Sequence, residues 1–247
     1  MASVRVTVII PTLNEEKRLP LLLESLSTQT NKLFEVIVVD GGSTDRTIEV
    51  AQKYGSRTIC LKNLDEFSSR NLASQKAEGD ILLHTSADVI MQKHTIESLI
   101  SQFDKNEKLT GIYSSGFPYD GPLWFRLEYF FYYFLLNLKM DLCGDYQAST
   151  NFMAFRKEKF LLTKGFVRKF SADTLFINEF GRKFKVGKFK GSRPFISGRR
   201  AKKMGFFEYN RHFGWNLFFM IPFLRNSNLV KKLGYESGKV REEEHSL

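Results

Sequence analysis

The chain has 247 residues, 43% of them apolar, which supports a real core in one sizeable α/β domain with elaborations and leaves little room for a second full domain. A formal charge of +10 implies attraction to phosphate, whether on nucleic acid, anionic lipid or a charged substrate. Two cysteines, Cys60 and Cys143, with no spaced Cys/His set, argue against a disulfide framework or a structural zinc site and point to a reducing compartment.

In chain order, Met1 to Arg5 reads straight into a strand, with no signal peptide. That strand, 4–10, stops at Pro11. Asn14-Glu15-Glu16 then opens a helix on which Leu19, Leu22, Leu23 and Leu26 recur at helical spacing. Residues 34–40 are rich in Val and Ile with no polar alternation, as in a parallel strand covered on both faces, and end on Asp40. Gly41 and Gly42 permit a sharp turn, and Ser43 or Thr44 is positioned to cap a helix over about 44–54. A strand over 57–61, a helix over 67–77, an apolar strand over 81–84, a helix over 93–103 and a strand near 110–115 follow. Strands alternating with helices predict an α/β fold, a mostly parallel sheet with helices on both faces and right-handed crossovers.

Three strand ends in that arrangement carry polar groups: 11–15, 40–45 and 86–88. Ligands of open α/β sheets sit beyond the carboxyl ends of the strands. Asp40 can accept from a base N–H, Glu15 can do the same or bind ribose, and Asp88 stands where a divalent cation bridges carboxylate and pyrophosphate. Each alone reads as a helix cap or surface carboxylate; their convergence is the signal. His84, at the end of an apolar strand, reads as a satisfied core histidine more readily than as a metal ligand.

The segments Val-Ile-Ile-Pro-Thr-Leu-Asn-Glu-Glu, Val-Val-Asp-Gly-Gly-Ser-Thr-Asp-Arg-Thr, Ser-Ser-Arg-Asn and Ala-Glu-Gly-Asp-Ile-Leu-Leu resemble inverting family 2 glycosyltransferases over roughly residues 4–200. The resemblance implies the Rossmann-like nucleotide-diphosphosugar transferase fold. It also implies a nucleotide-sugar site drawn from Pro11, Leu13, Glu15, Asp40, Gly42 and Ser43, with Arg70 facing the donor and Ser86-Ala87-Asp88 in the place of the family's Asp-x-Asp. The first Asp of that motif is Ser86 here, so Asp88 is the implied ligand of a Mg or Mn ion, and Ser86 keeps one hydroxyl for ribose.

Later in the chain, Lys164-Gly165-Phe166 followed by Ala172-Asp173 resembles the acceptor half of the family, which makes Asp173 the implied catalytic base before a helix whose N-terminus favours its ionised form. Arg199 and Arg200 fall where relatives place basic residues on a loop near the pyrophosphate. The implied reaction is a single displacement from a UDP- or GDP-sugar onto a lipid phosphate or lipid-linked glycan acceptor. A non-catalytic nucleotide-sugar or lipid-binding protein is the alternative suggested by the altered Asp-x-Asp.

Two apolar aromatic runs, one between Gly116 and Asn137 and one over 213–224 flanked by Arg211, Arg225, Lys231 and Lys232, read as interfacial helices on an anionic membrane or as a dimer interface. Both are too short or too interrupted to span. The aromatics are not interleaved with basic residues, which disfavours nucleic acid. The expected organisation is a catalytic domain over 1–205, with a nucleotide-sugar half to 116 and an acceptor half from 117, followed by a basic aromatic tail over 206–247. The expected location is cytoplasmic, peripheral on the inner membrane face.

Overall fold

The computed structural model describes residues 5–143, 146, 148–168 and 172–213. The second aromatic run, with Trp215 and Phe218, falls almost wholly outside them. In chain order the elements are β1 (Val6–Thr12), α1 (Leu19–Ser27), β2 (Phe34–Asp40), α2 (Thr47–Lys53), β3 (Arg57–Cys60), α3 (Glu66–Lys76), β4 (Ile81–His84), β5 (Val89–Ile90), α4 (Thr95–Asp104), β6 (Leu109–Tyr113), β7 (Phe117–Pro118), α5 (Leu123–Cys143), β8 (Met153–Arg156), α6 (Lys157–Leu161), α7 (Ala172–Lys183), β9 (Lys185–Lys188), β10 (Phe195–Ile196) and α8 (Arg199–Phe213).

Seven strands form one sheet in the order β3-β2-β1-β4-β8-β6-β9, and β5, β10 and β7 form a small second sheet. Within the seven-stranded sheet pairing is parallel except where β8 runs antiparallel between β4 and β6, and in the small sheet β10 runs antiparallel to β5. The strands β1, β2 and β4 are apolar runs whose Val, Ile and Leu side chains are mostly fully buried, as strands covered on both faces require. The insertion of β8 was not legible beforehand. Three apolar residues followed by Arg156 give no periodicity that separates a buried strand from a helix turn.

Two helix starts differ from expectation. Helix α1 begins at Leu19 rather than at Asn14, because Asn14 sits at φ 52°, a left-handed conformation that a right-handed helix cannot continue. Helix α2 begins at Thr47, and neither Ser43 nor Thr44 caps it, since both are engaged in the preceding turn.

The chain divides into two units. The first takes in Met1–Phe117, Ala148–Arg168 and Ala172–Ile196. The second comprises Pro118–Gln147, Lys169–Ser171 and Ser197–Leu247. Within the second, α5 packs on α8 through aromatic contacts, Trp124 against Phe206 and Tyr209, and Phe125 against Tyr209. Burial among Tyr133, Tyr209 and Tyr132 pushes the Tyr129 phenol well above its ordinary value. Asp120 ties down the start of α8, accepting from the Gly198 N–H, the Ser197 hydroxyl at 3.2 Å and Lys202 Nζ at 2.9 Å.

Candidate functional site

The carboxyl ends of β2, β1 and β4 lie side by side, because β1 pairs in parallel with both neighbours, Thr12 opposite Asp40 and Ile9 opposite His84. Pro11, Leu13, Glu15, Asp40, Gly42 and Ser43 all sit at or just beyond two of these ends, and Ser86, Ala87 and Asp88 follow the third. The turn after β2 is organised by the Asp40 carboxylate, which is 1% exposed. Oδ1 accepts from the backbone N–H groups of Gly42 at 2.9 Å and Ser43 at 2.8 Å, and Oδ2 accepts from the hydroxyls of Ser43 at 2.5 Å and Thr12 at 3.2 Å. Four donors match the acceptor capacity of a carboxylate. Asp40 therefore shapes the turn, and a base contact requires it to exchange one of the two hydroxyls. Gly42, at φ 110°, is a position where any side chain would be strained.

The turns after β1 and β2 are laced together. Asn14 donates its N–H to Ser43 Oγ at 2.8 Å and accepts from Thr44 N–H at 2.9 Å, while the Glu15 N–H reaches Thr47 Oγ1 at 2.8 Å. The Glu16 N–H reaches Asp45 at 3.1 Å, and Glu16 accepts in turn from Arg46 N–H at 3.1 Å. Burial draws the Asp45 carboxyl upward, but bonds from the Thr47 hydroxyl and from the N–H groups of Glu16 and Thr47 outweigh it and hold it below its ordinary value. Glu15 is buried, with Arg18 Nη1 at 3.4 Å.

Arg70 corrects an expectation. Its side chain is fully buried rather than turned to a donor. It donates to Glu66 Oε1 at 2.7 and 3.1 Å, to the Thr85 carbonyl at 2.9 Å and to Ser86 Oγ at 3.4 Å, so it braces the end of β4 from beneath. Thr150 adds a bond to the same Glu66 oxygen at 3.2 Å. A buried guanidinium survives because it is paired and multiply bonded. His84, also fully buried, is a core histidine but not a satisfied one: neither ring nitrogen has a hydrogen-bond partner, and Phe155, Phe160 and Phe166 surround the ring. Burial and then the nearby Arg70 charge hold it well below its ordinary value, so it stays neutral.

Asp173 stands half-buried in the first turn of α7, where its Oδ1 accepts from the Thr174 N–H at 2.8 Å. The Gly165-Phe166 turn is pinned by Asn71, which accepts from the Phe166 N–H at 2.9 Å and donates to its carbonyl at 2.7 Å. Gly165 has φ 68°, and an added Cβ would lie 2.3 Å from Asn71 Oδ1, so only glycine fits. Arg199 and Arg200 do not lie on a loop; they open α8 in the second unit.

The model of Glycosyl transferase family 2 matches residues 7–162, more than half of the chain. The chain belongs to glycosyltransferase family 2. Poly(ribitol-phosphate) beta-N-acetylglucosaminyltransferase TarS of Staphylococcus aureus is 32% identical over 126 residues, 45% of this chain and 22% of that protein. The 4,4'-diaponeurosporenoate glycosyltransferase of Staphylococcus haemolyticus is 36% identical over 110 residues, 41% of this chain and 29% of its own length. Each match thus takes in well under half of the curated relative. The mannosyltransferase PcManGT of Pyrobaculum calidifontis, solved with GDP-Man and Mn2+, superposes over 96% of this chain and 70% of that one with a TM-score of 0.67 at 18% identity, a likeness of fold.

Several residues that build this family 2 site were missed in the sequence. Thr12, Asn14, Glu66 and Asn71 act through partners up to 95 residues away, which no local pattern reveals. Asn14 alone carried a hint, as asparagine is among the few residues that tolerate a left-handed backbone.

Proposed function

We propose that this family 2 chain transfers a sugar from a nucleotide-diphosphosugar to a lipid-borne acceptor, with inversion at the anomeric carbon. The observation that carries the reading is the row of three parallel strand ends, with the braced Asp40 to Asp45 turn at one side and Ser86 to Asp88 at the other. Pro11, Leu13, Glu15, Asp40, Gly42 and Ser43 would cradle the nucleoside, and Ser86 would meet the ribose. Asp88 is a hard oxygen donor at a strand end, half-buried, and so suits Mg or Mn. An ion held by Asp88 would draw its remaining ligands from the donor's phosphates. Bound there, the ion would neutralise the departing diphosphate.

Asp173 would take the proton of an acceptor hydroxyl as its oxygen attacks the face opposite the nucleotide. If the acceptor is a phosphate monoester, already largely ionised, that base becomes dispensable. The likeness to a 4,4'-diaponeurosporenoate glycosyltransferase supports an acceptor of that kind, and the reading locates the enzyme peripherally on a membrane. Thermal stabilisation by UDP- and GDP-sugars, with and without Mg or Mn, followed by turnover on lipid phosphates and glycolipids, tests it. Cation-dependent stabilisation with turnover is the expected result. Stabilisation without turnover on any acceptor would favour a binding protein instead, and no stabilisation by any nucleotide sugar would remove the donor site.

A further inference from the structure

The first aromatic run, α5, has two opposite apolar faces in the structure, one buried and one exposed. Phe125, Tyr129 and Tyr133 stack on one another, and Phe125 and Tyr129 lie against Tyr209 of α8; Leu136 and Met140 on the same side are buried. On the other face, Leu123, Leu127, Phe130, Phe131, Phe134 and Leu138 are each 50–69% exposed. At about 100° per residue these six fall within an arc of about 100°, a continuous stripe about 23 Å long that stops one turn short of Asp141. On α8, Phe206 is also exposed and Phe207 is 87% exposed. Monomeric proteins rarely leave so ordered an apolar band in water.

We infer that the open face of α5, with Phe206 and Phe207 of α8, is a docking surface for an anionic lipid bilayer. The charges select this occupant. The exposed charged residues described on α5 and α8 are Arg126, Lys202, Lys203 and Arg211 against Glu208, and Lys202 is already held by Asp120 at 2.9 Å. A second copy would bring the same excess of cations, whereas anionic headgroups would pair with it. The apolar run over 213–224 is followed by Arg225, Lys231 and Lys232, so it repeats the cationic character instead of complementing it. No described helix is long and apolar enough to cross a membrane, so the contact is that of a helix lying in the interface plane. The inference rests in part on the lipid-borne acceptor, since a surface of this kind brings enzyme and acceptor together in two dimensions.

The test is flotation of the full chain with vesicles of phosphatidylglycerol and phosphatidylcholine, compared with phosphatidylcholine alone, at low and high salt. Nucleotide-sugar stabilisation is followed on the same samples. Binding is expected to the anionic vesicles, weakened by salt, and lost by more than about tenfold when Leu127, Phe131 and Phe134 are all changed to Ser, because binding scales with buried apolar area. Arg126→Glu with Lys203→Glu should weaken anionic binding by about fivefold or more for each cation, with little change on neutral vesicles. All of these side chains face solvent, so melting temperature and donor stabilisation should stay as in the parent. Three results overturn the surface: no binding to any vesicle, binding indifferent to the triple substitution, or a parent dimer that the triple substitution dissolves. Each leaves the donor-site reading standing, and loss of donor stabilisation in the parent would strike that reading while leaving the surface intact.

Discussion

The turns at the strand ends and the helix α5 handle side chains at odds with their surroundings in opposite ways. Around Asp40 a buried carboxylate meets four donors, and the neighbouring turn answers with Asn14, Thr47 and the Asp45 to Glu16 exchange, so the polar groups are satisfied inside the chain. On α5 the six outward apolar side chains are each at least half exposed. Rigid, inward-satisfied polar turns hold a ligand in fixed geometry, while an apolar face left open acquires its partner only outside the molecule. The first region should carry stability together with the proposed chemistry, and the second association alone.

The largest expected break falls on chemistry. Asp88→Asn should reduce kcat/KM roughly 10²–10³-fold and abolish cation-dependent donor stabilisation, with the melting temperature unchanged. Initial rates over a Mg and Mn titration check this, and a parent protein indifferent to chelator would remove the metal from the reading.

Asp40→Ala comes next, and it tests whether the turn joins stability to binding. Two N–H groups and two hydroxyls lose their acceptor, so unfolding free energy should fall by about 3 kcal/mol, with donor binding lost as well. Asp40→Asn should be milder, since the Thr12 and Ser43 hydroxyls can rotate to accept from the new amide. Urea melts together with calorimetric donor titration separate the two effects.

His84 sharpens the comparison from beneath, as a polar group left unpaired in the otherwise satisfied region. An unfolded chain protonates its imidazole near pH 6.5, whereas the folded chain holds His84 neutral well below that. Its contribution is therefore flat above pH 6.5, and stability falls as pH drops below it, by at most about 1.4 kcal/mol per pH unit. His84→Leu should remove that part of the acid sensitivity and be neutral or stabilising by about 1 kcal/mol near pH 7. Denaturant midpoints between pH 5 and 8 measure both.

The smallest effect should come from the open face of α5. Phe131→Ser or Phe134→Ser is expected to change unfolding free energy by no more than about 0.5 kcal/mol, because the side chain is already in water. A loss several times larger by the same urea melts would mean that this face is covered within the chain.

The mostly parallel sheet, the strand carrying Asp40, the turn at Gly42 and the position of Asp88 were all legible in the chain, because runs of Val, Ile and Leu ended by Asp and Gly express local preferences that the fold does not override. Tertiary structure alone decided that Arg70 points down to the Thr85 carbonyl instead of out to a donor, that Asn71 clamps Gly165-Phe166, that His84 has no partner, and that β8 enters antiparallel between β4 and β6. Those outcomes depend on partners tens of residues distant. The same holds for α5: its composition announced an aromatic helix, but which of its two apolar faces would be buried was settled only when α8 packed on one of them, since helical periodicity identifies a face and never the neighbour that covers it.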